Sequence, residues 1–76
     1  MSVAYKKEKL RLALQQNKTT SDFKIHYLDL LNQCVVDHMP FAKEAKDLMI
    51  RLKSMPKDQD WTNTIDEFLN KNIYPK

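Results

Sequence analysis

Apolar side chains recur at helical spacing over most of the chain, and the longest such pattern lies between Phe23 and His38. On a helix, six apolar residues of this segment share one face: Phe23, Tyr27, Leu30, Leu31, Cys34 and Val35. A second apolar strip lies roughly opposite and is made by Ile25, Leu28 and Val36, with Asn32 among them. Such a helix is predicted to bury apolar surface on two sides. We therefore expect a small bundle wrapped around a central helix near residues 22–38.

The first predicted helix runs from about Val3 to Gln16, with Ser2 as its N-cap and Asn17 as its C-terminal stop. Its inward face is expected to carry Val3, Leu10 and Leu14, with Ala13 at the edge. Tyr5 and Leu12 fall on the other side of this helix. There they either cover a loop or a neighbouring helix, or form an exposed docking spot.

A third helix is expected from about Pro40 to Ser54, because Pro40 ends the turn after the central helix and suits a first helical position. Its inward face is predicted to carry Phe41, Ala45, Leu48, Met49 and Leu52. On one flank, Glu44, Asp47 and Arg51 are spaced to form ion pairs. The side opposite the core is basic with an apolar centre: Lys43, Lys46, Ile50 and Lys53.

The last apolar repeat follows a polar linker and consists of Trp61, Ile65, Phe68, Leu69 and Ile73. Its start has two alternatives. Asp60 caps a helix that begins at Trp61, or Thr64 and Glu67 form a capping box for a shorter helix. Short connectors favour antiparallel neighbours. The pattern as a whole predicts an all-α fold, an irregular bundle of about four helices in one domain over residues 1–76.

Composition excludes several kinds of fold and site. A chain of 76 residues with one cysteine forms no internal disulfide, and no cluster of Cys and His has zinc-finger spacing. Glycine is absent, which disfavours glycine-rich phosphate loops and two-residue hairpin turns. Asparagine is then expected to supply any left-handed residue at a helix end. We expect no cofactor, and stability must come from helix packing or from a partner.

The start of the chain predicts neither a signal peptide nor a membrane span. Lys6, Lys7, Glu8 and Lys9 interrupt the first apolar segment, so no positively charged start is followed by a continuous apolar run. The single cysteine fits a reducing compartment. The sequence therefore predicts a soluble, cytoplasmic protein without a membrane partner.

Cys34 and His38 lie four residues apart on the central helix, a spacing that suits two zinc ligands or a thiol with its general base. A closed zinc site needs more ligands, and the other histidine, His26, falls on a different sector of the helix. Cys34 also belongs to the buried stripe, where a free cysteine usually behaves as a small apolar side chain. We therefore expect no metal site, no catalytic residue and no small-molecule substrate, so the chain is predicted not to be an enzyme.

Positive charge is concentrated in the first and third predicted helices, although the net charge of the chain is only +3. Residues 1–18 carry a net charge of +4 and residues 40–56 carry +2. If these helices lie side by side, a basic patch for phosphates or an acidic protein combines Lys6, Lys7, Lys9 and Arg11 with Lys43, Lys46 and Lys53. The alternative is an ordinary solvated surface, because no helix-turn-helix spacing favours base recognition.

The two ends of the chain, MSVAYKKEKLRLAL and WTNTIDEFLNKNIYPK, resemble the small Lys- and Asn-rich accessory proteins of T-even phages. In size the chain is similar to the small helical products encoded beside the UvsW recombination helicase. The resemblance covers length and general character, and it carries over no functional residue. It implies a helical accessory protein in the host cytoplasm, acting near phage DNA recombination, repair or replication by binding the helicase or its DNA substrate.

Two functions from different classes follow. The first is a non-enzymatic interaction module that docks on a protein partner, such as a helicase, through Lys43, Lys46, Ile50 and Lys53, with Ile50 as an apolar anchor inside a charged rim. The alternative is sequence-independent nucleic-acid binding by the basic surface that includes Lys6, Lys7, Lys9 and Arg11. Such binding would be directed at phosphates and lost with salt.

Overall fold

The computed structural model describes residues 3–15 and 21–74. Within these ranges the chain forms four α-helices: α1 (Val3–Leu12), α2 (Ser21–Val36), α3 (Ala42–Lys53) and α4 (Thr62–Phe68). A 3₁₀ turn at Ala13–Gln15 extends α1, and a π-helical segment at Leu69–Ile73 extends α4. The described residues contain no strand, and the predicted all-α fold is confirmed. Ser2, Gln16 and Asn17, the predicted end residues of the first helix, lie outside the described ranges.

The inward face of α2 is the centre of the core, as its spacing predicts. Phe23, Tyr27, Leu31 and Cys34 are completely or almost completely buried, and α1 and α3 both pack on this helix. The remaining buried apolar side chains come from the other helical elements and from the connectors between them: Leu10, Ala13, Met39, Phe41, Ala45, Leu48, Leu52, Trp61, Ile65, Phe68, Leu69 and Ile73. Each large side chain buried in this way stabilises the fold by about 1.5–3 kcal/mol.

The second apolar strip of α2 is not covered, so that part of the prediction is wrong. Ile25 is 69% exposed and Val36 is 58% exposed, while Leu28 packs only partly against the core. Each of the other helices has one apolar face, and the core assembles those faces on the side of α2 that carries Phe23 and Tyr27. The described part of the chain supplies no further element for the far side. Ile25 and Val36, on the far side of α2, therefore meet solvent.

The end of α2 is a left-handed turn in which His38 has a φ of 55°. The amide of His38 donates to the carbonyl of Val35 at 3.1 Å, and the amide of Met39 donates to the carbonyl of Cys34 at 3.1 Å. This pair of hydrogen bonds is the Schellman motif, in which glycine usually takes the left-handed position. A histidine, rather than the predicted asparagine, takes that position here, and histidine is among the residues that tolerate it best.

Lys24 of α2 contacts the linker between α3 and α4. The ammonium of Lys24 donates to the carbonyl of Lys57 at 2.5 Å and to the carbonyl of Gln59 at 2.7 Å. The same ammonium lies 5.1 Å from the ring centroid of Trp61, which is buried. These contacts attach the linker to the start of the central helix.

The side chain of Asp60 contacts the first residue of α4. The carboxylate of Asp60 accepts a hydrogen bond from the amide of Thr62 at 2.8 Å and another from the Thr62 hydroxyl. Helix α4 begins at Thr62 with Trp61 as its N-cap residue, so it starts one residue later than the helix predicted from Trp61 and well before a start at Thr64. Asp60, which was predicted to be the cap, lies one residue before the cap position.

Candidate functional site

The four residues predicted to form a docking surface lie together on the outer side of α3. Ile50 is 60% exposed. The three lysines on this side are exposed as well, while Ala45, Leu48 and Leu52 on the inner side are buried. We refer to Lys43, Lys46, Ile50 and Lys53 as the basic α3 face.

The basic α3 face is a narrow stripe with its apolar residue inside a cationic border. Lys46 precedes Ile50 by one helical turn, Lys53 follows it by one turn, and the stripe extends for about 15 Å along the helix axis. Among the described residues, none of the three lysines forms an ion pair. Their ammonium groups are therefore available to acidic groups outside the chain.

The last turn of α3, which carries Ile50 and Lys53, is tied down at its end. The amide of Ser54 donates to the carbonyl of Ile50 at 3.2 Å, and the Ser54 hydroxyl donates to the carbonyl of Arg51 at 2.8 Å. Leu52 in the same turn is buried in the core. The backbone of this turn is therefore fixed by hydrogen bonds and by core packing, while Ile50 and Lys53 remain on its outer side.

Lys6, one of the four α1 residues predicted to contact nucleic acid, does not lie on an exposed surface. It is only 5% exposed, and its ammonium lies 2.7 Å from a carboxylate oxygen of Asp37. The hydrogen bond to Asp37 raises the pKa of Lys6, so the ammonium stays charged and paired. The assignment of Lys6 to a nucleic-acid surface is therefore wrong, because its charge is already satisfied inside the fold.

The other basic residues of α1 do not form one free patch either. Arg11 pairs with Glu8 on the same helix, and Lys9 lies over the ring of Tyr5, 5.0 Å from its centroid. Both Tyr5 and Leu12 are exposed, so neither is covered by a neighbouring helix. The pairing of Arg11 with Glu8 lowers the pKa of Glu8, which keeps a negative charge beside the arginine.

The basic faces of α1 and α3 do not merge along their length. Both helices pack on α2, and no extended packing joins them to each other. They border a common depression of about 240 Å³, where Lys7 and Val3 of α1 face Glu44 near the start of α3. The side-by-side packing of α1 and α3, on which the expected single patch depended, is therefore not seen in the described part of the chain.

A shallow groove of about 260 Å³ separates α3 from the last helix. Leu48 and Phe68 contribute its apolar surface, and charged residues of both signs border it: Glu44, Asp47, Arg51, Glu67 and Lys71. Among the described residues, the predicted ion pairs of Arg51 with Glu44 or Asp47 do not form. One carboxylate oxygen of Glu44 is instead buried without a hydrogen-bond partner in the described part of the chain. The groove's lining contains no histidine, cysteine or serine.

The environments of Cys34 and His38 differ sharply. Cys34 is buried in the core, and burial raises the pKa of its thiol. His38 is exposed in the left-handed turn. Across residues 3–15 and 21–74, no group of three or more His, Cys, Asp and Glu side chains comes close enough to hold a metal ion. None of the helices in these ranges is long and apolar enough to cross a membrane.

The burial of Lys6 had a detectable signal in the sequence. Lys6 follows Val3 by three residues and precedes Leu10 by four, so helical periodicity places it on the inward face of α1. No comparable signal identified Asp37 as its partner, because that contact depends on how α1 lies against the end of α2.

Comparisons of the chain with protein-family models, with curated proteins and with solved structures found no significant match. The similarity to accessory proteins of T-even phages therefore stays a prediction. The chemistry of the exposed surfaces is the basis for inferring a function.

Proposed function

We propose that the protein is a non-enzymatic helical interaction module that docks on an acidic surface of a partner protein through the basic α3 face. The observation that carries the proposal is Ile50, which is exposed between lysines that have no ion-pair partner among the described residues. An isoleucine removed from water on docking contributes about 1.5–3 kcal/mol. The surrounding lysines orient the two proteins relative to each other and increase the rate of association with a negatively charged partner.

The support given to this face from inside the molecule favours a docking role. Ala45, Leu48 and Leu52 anchor α3 in the core, and Ser54 closes its last turn. A surface on a preorganised helix loses little backbone entropy when it binds. The basic α3 face therefore suits a partner that offers a complementary apolar site with carboxylates around it.

The partner that we propose belongs to a nucleic-acid-processing complex, such as one for phage DNA recombination, repair or replication. The resemblance of the chain ends to T-even phage accessory proteins supports this context, and a helicase is the first partner to test. Lysines around an apolar anchor would favour a partner whose docking surface is acidic over one whose surface is basic.

Affinity capture with matched variants tests the docking site. Wild type, Ile50→Glu, Lys46→Glu and Ile25→Glu serve as baits in nuclease-treated extract of the cells in which the protein occurs, with the purified helicase as a second prey. We expect Ile50→Glu and Lys46→Glu to lower recovery of the partner at least tenfold. Ile25→Glu is the matched control, because Ile25 is an isoleucine of similar exposure on another helix, 69% against 60% for Ile50. Equal recovery by all four baits would remove the basic α3 face from consideration.

Direct, sequence-independent nucleic-acid binding is the second candidate. Three exposed lysines on α3 and the positive net charge favour it, whereas the burial of Lys6 and the pairing of Arg11 reduce the surface available for phosphates. This candidate predicts binding to single- or double-stranded DNA that weakens steeply with salt and is insensitive to Ile50→Ala. If the protein binds neither single- nor double-stranded DNA at low salt, nucleic-acid binding is excluded as its function. If partners are recovered only from extract without nuclease, nucleic-acid binding is favoured.

A further inference from the structure

The residues of the basic α3 face recur at spacings of three, four and three residues. This is the spacing of the a and d positions in a heptad repeat, with Lys43 and Ile50 at a and with Lys46 and Lys53 at d. Side chains at these positions stay on one line along a helix, because the line drifts by only about 20° per heptad. The basic α3 face is therefore a straight, narrow row on the outer side of α3.

A straight row along a helix is complementary in shape to a second helix that lies beside it. Two helices with rows of this spacing pack at a crossing angle of about 20°, which keeps their side chains in register over several turns. An extended peptide finds no such match on this molecule. The described residues contain no strand, so they offer it no sheet edge for backbone hydrogen bonds.

The side chains along the row determine the chemistry of a complementary helix. Its three lysines form no ion pair among the described residues, so each ammonium can bind a carboxylate. On one flank of Ile50, the partly buried Met49 enlarges the apolar surface. On the other flank, Asp47 is exposed and would repel a carboxylate placed beside it. The complementary helix is thus acidic along the row, apolar opposite Ile50 and not acidic beside Asp47.

We propose, on the basis of the docking role inferred above, that the partner binds the basic α3 face with an acidic amphipathic α-helix. That helix carries three carboxylates and one large aliphatic side chain at the same spacings of three, four and three residues. If it runs parallel to α3, the order is carboxylate, carboxylate, aliphatic, carboxylate, and if it runs antiparallel, the order is reversed. In both directions each carboxylate lies opposite one lysine, and the aliphatic side chain covers Ile50.

The size of the contact makes the isolated helix a weak ligand. The row extends for about 15 Å, and one pair of helices over that length buries less than the roughly 1,200 Å² at which stable specific interfaces begin. We therefore expect a synthetic helix to bind with a Kd on the order of 100 μM at low salt. The affinity should fall as salt is added, because exposed ion pairs are screened.

NMR titration of the isotope-labelled full chain with synthetic peptides tests the inference. Two helical peptides carry three glutamates and one leucine in the parallel and the antiparallel order. A third peptide has the same composition and helicity, but its glutamates lie on the side of the helix opposite the leucine. We expect one of the two ordered peptides to shift the amide resonances of α3 and to bind at least fivefold more tightly than the third.

Variants of the full chain locate the peptide on the basic α3 face. Ile50→Glu should weaken binding of the ordered peptide at least tenfold, because it removes the apolar contact and repels the glutamates. Ile25→Glu is the matched control and should bind the peptide about as well as wild type, since Ile25 is exposed on another helix. Circular dichroism of each variant shows whether the helices remain folded.

A charge exchange tests the register of the two helices. Lys46→Glu should weaken binding of the ordered peptide about fivefold, because it places two carboxylates opposite each other. A peptide in which the glutamate facing this position is replaced by lysine should restore the affinity. Replacing the glutamate that faces Lys53 should instead weaken binding further.

Three results would overturn the inference: equal binding by all three peptides, no binding of either ordered peptide at about 1 mM and low salt, or no restoration by the exchanged peptide. Affinity capture with the Ile50→Glu and Lys46→Glu baits separates these results from the docking role. If capture depends on Ile50 and Lys46 while the ordered peptides fail, the basic α3 face still docks, but on a partner surface that is not such a helix.

Discussion

The ammonium of Lys6 lies 2.7 Å from a carboxylate oxygen of Asp37, and this contact joins the first helix to the residue that follows α2. Lys6 is buried, whereas the Asp37 side chain remains partly accessible to water. A buried ammonium is costly without a partner, so Asp37 allows a lysine to lie on the inward face of α1. The hydrogen bond raises the pKa of Lys6 and lowers that of Asp37.

This pair predicts a specific pH dependence of stability. The pKa of the Asp37 carboxyl is lower in the folded than in the unfolded protein. Such a carboxyl stabilises the fold at pH values above its unfolded-state pKa. That stabilisation is lost as the pH falls through its folded-state pKa. Asp37→Asn should therefore be less stable than wild type at neutral pH, and the difference should shrink below about pH 4. Urea unfolding followed by the fluorescence of buried Trp61 measures it. Asp58→Asn, at an exposed aspartate of the linker, should show no such pH-dependent difference.

The inward stripes could be predicted from the sequence, because helical periodicity alone decides which side chains of a helix share a face. Phe23, Tyr27, Leu31 and Cys34 are buried as their spacing indicates, while Leu30 and Val35 at the edges of the same predicted face are partly buried. The exposure of Ile25 could not be predicted in the same way. Whether a second apolar strip is covered depends on how many helices assemble on each side of α2, and local spacing does not contain that information.

The same distinction applies to the candidate surfaces. The outward position of Ile50 follows from the clean amphipathic pattern of α3, and its exposure is confirmed. The basic patch predicted to join α1 with α3 required knowledge of how those two helices are placed around α2. Lysine side chains are usually exposed to solvent, and the prediction for Lys6 followed that preference. Its ion pair with Asp37 in the folded protein overrides the preference.

The left-handed turn at His38 should respond to glycine by becoming more stable. A residue with a Cβ in this conformation costs about 1–2 kcal/mol, and glycine avoids that cost while losing more entropy on folding. We expect His38→Gly to raise the free energy of unfolding by about 1 kcal/mol. His26→Gly is the control with the opposite sign, because an exposed site inside α2 should lose roughly 0.3–0.5 kcal/mol when glycine replaces histidine. Destabilisation by His38→Gly would indicate that the imidazole itself makes a needed contact.

Tyr27 has a buried hydroxyl that finds no hydrogen-bond partner among the described residues. Burial raises the pKa of this hydroxyl, which stays protonated at all physiological pH values. Burial of an unpaired hydroxyl costs about 1–3 kcal/mol, so Tyr27→Phe should stabilise the protein by about 1 kcal/mol. Tyr27→Ala, which removes the ring as well, should destabilise it by about 3–5 kcal/mol. A loss of stability in Tyr27→Phe, measured by urea unfolding, would show that the hydroxyl is hydrogen-bonded.

The thiol of Cys34 should be unreactive in the folded protein. It is buried in the core, and desolvation raises its pKa, although the nearby charge of Lys6 acts in the opposite direction. We expect a thiol-specific reagent such as DTNB to label the native protein at least about a hundredfold more slowly than the urea-unfolded chain, since labelling requires opening of the core. Rapid native labelling would restore a thiol-centred activity as a candidate function.

Lys24 should matter more for the linker between α3 and α4 than for the fold as a whole. Its ammonium binds the carbonyls of Lys57 and Gln59 and lies over the ring of Trp61, and these contacts together are worth about 1–2 kcal/mol. Lys24→Met keeps the length and apolar stem of the side chain and removes only the charge. Urea unfolding of Lys24→Met should then show a decrease of that size in the free energy of unfolding. Lys57→Met is the control: it keeps the backbone carbonyl that Lys24 binds, so its free energy of unfolding should be nearly unchanged.

A local role for Lys24 can be separated from a global one by proteolysis at the linker. A protease that cleaves at aspartate has two exposed targets in this segment, Asp58 and Asp60. If the ammonium of Lys24 holds the linker to α2, the linker of Lys24→Met can open while the core stays folded. The rate of cleavage at the linker should then increase by a larger factor than the variant's lower free energy of unfolding predicts. A cleavage rate that increases only in proportion to global unfolding would show that the burial of Trp61 holds the linker. Lys24 would then make no separate contribution to holding it.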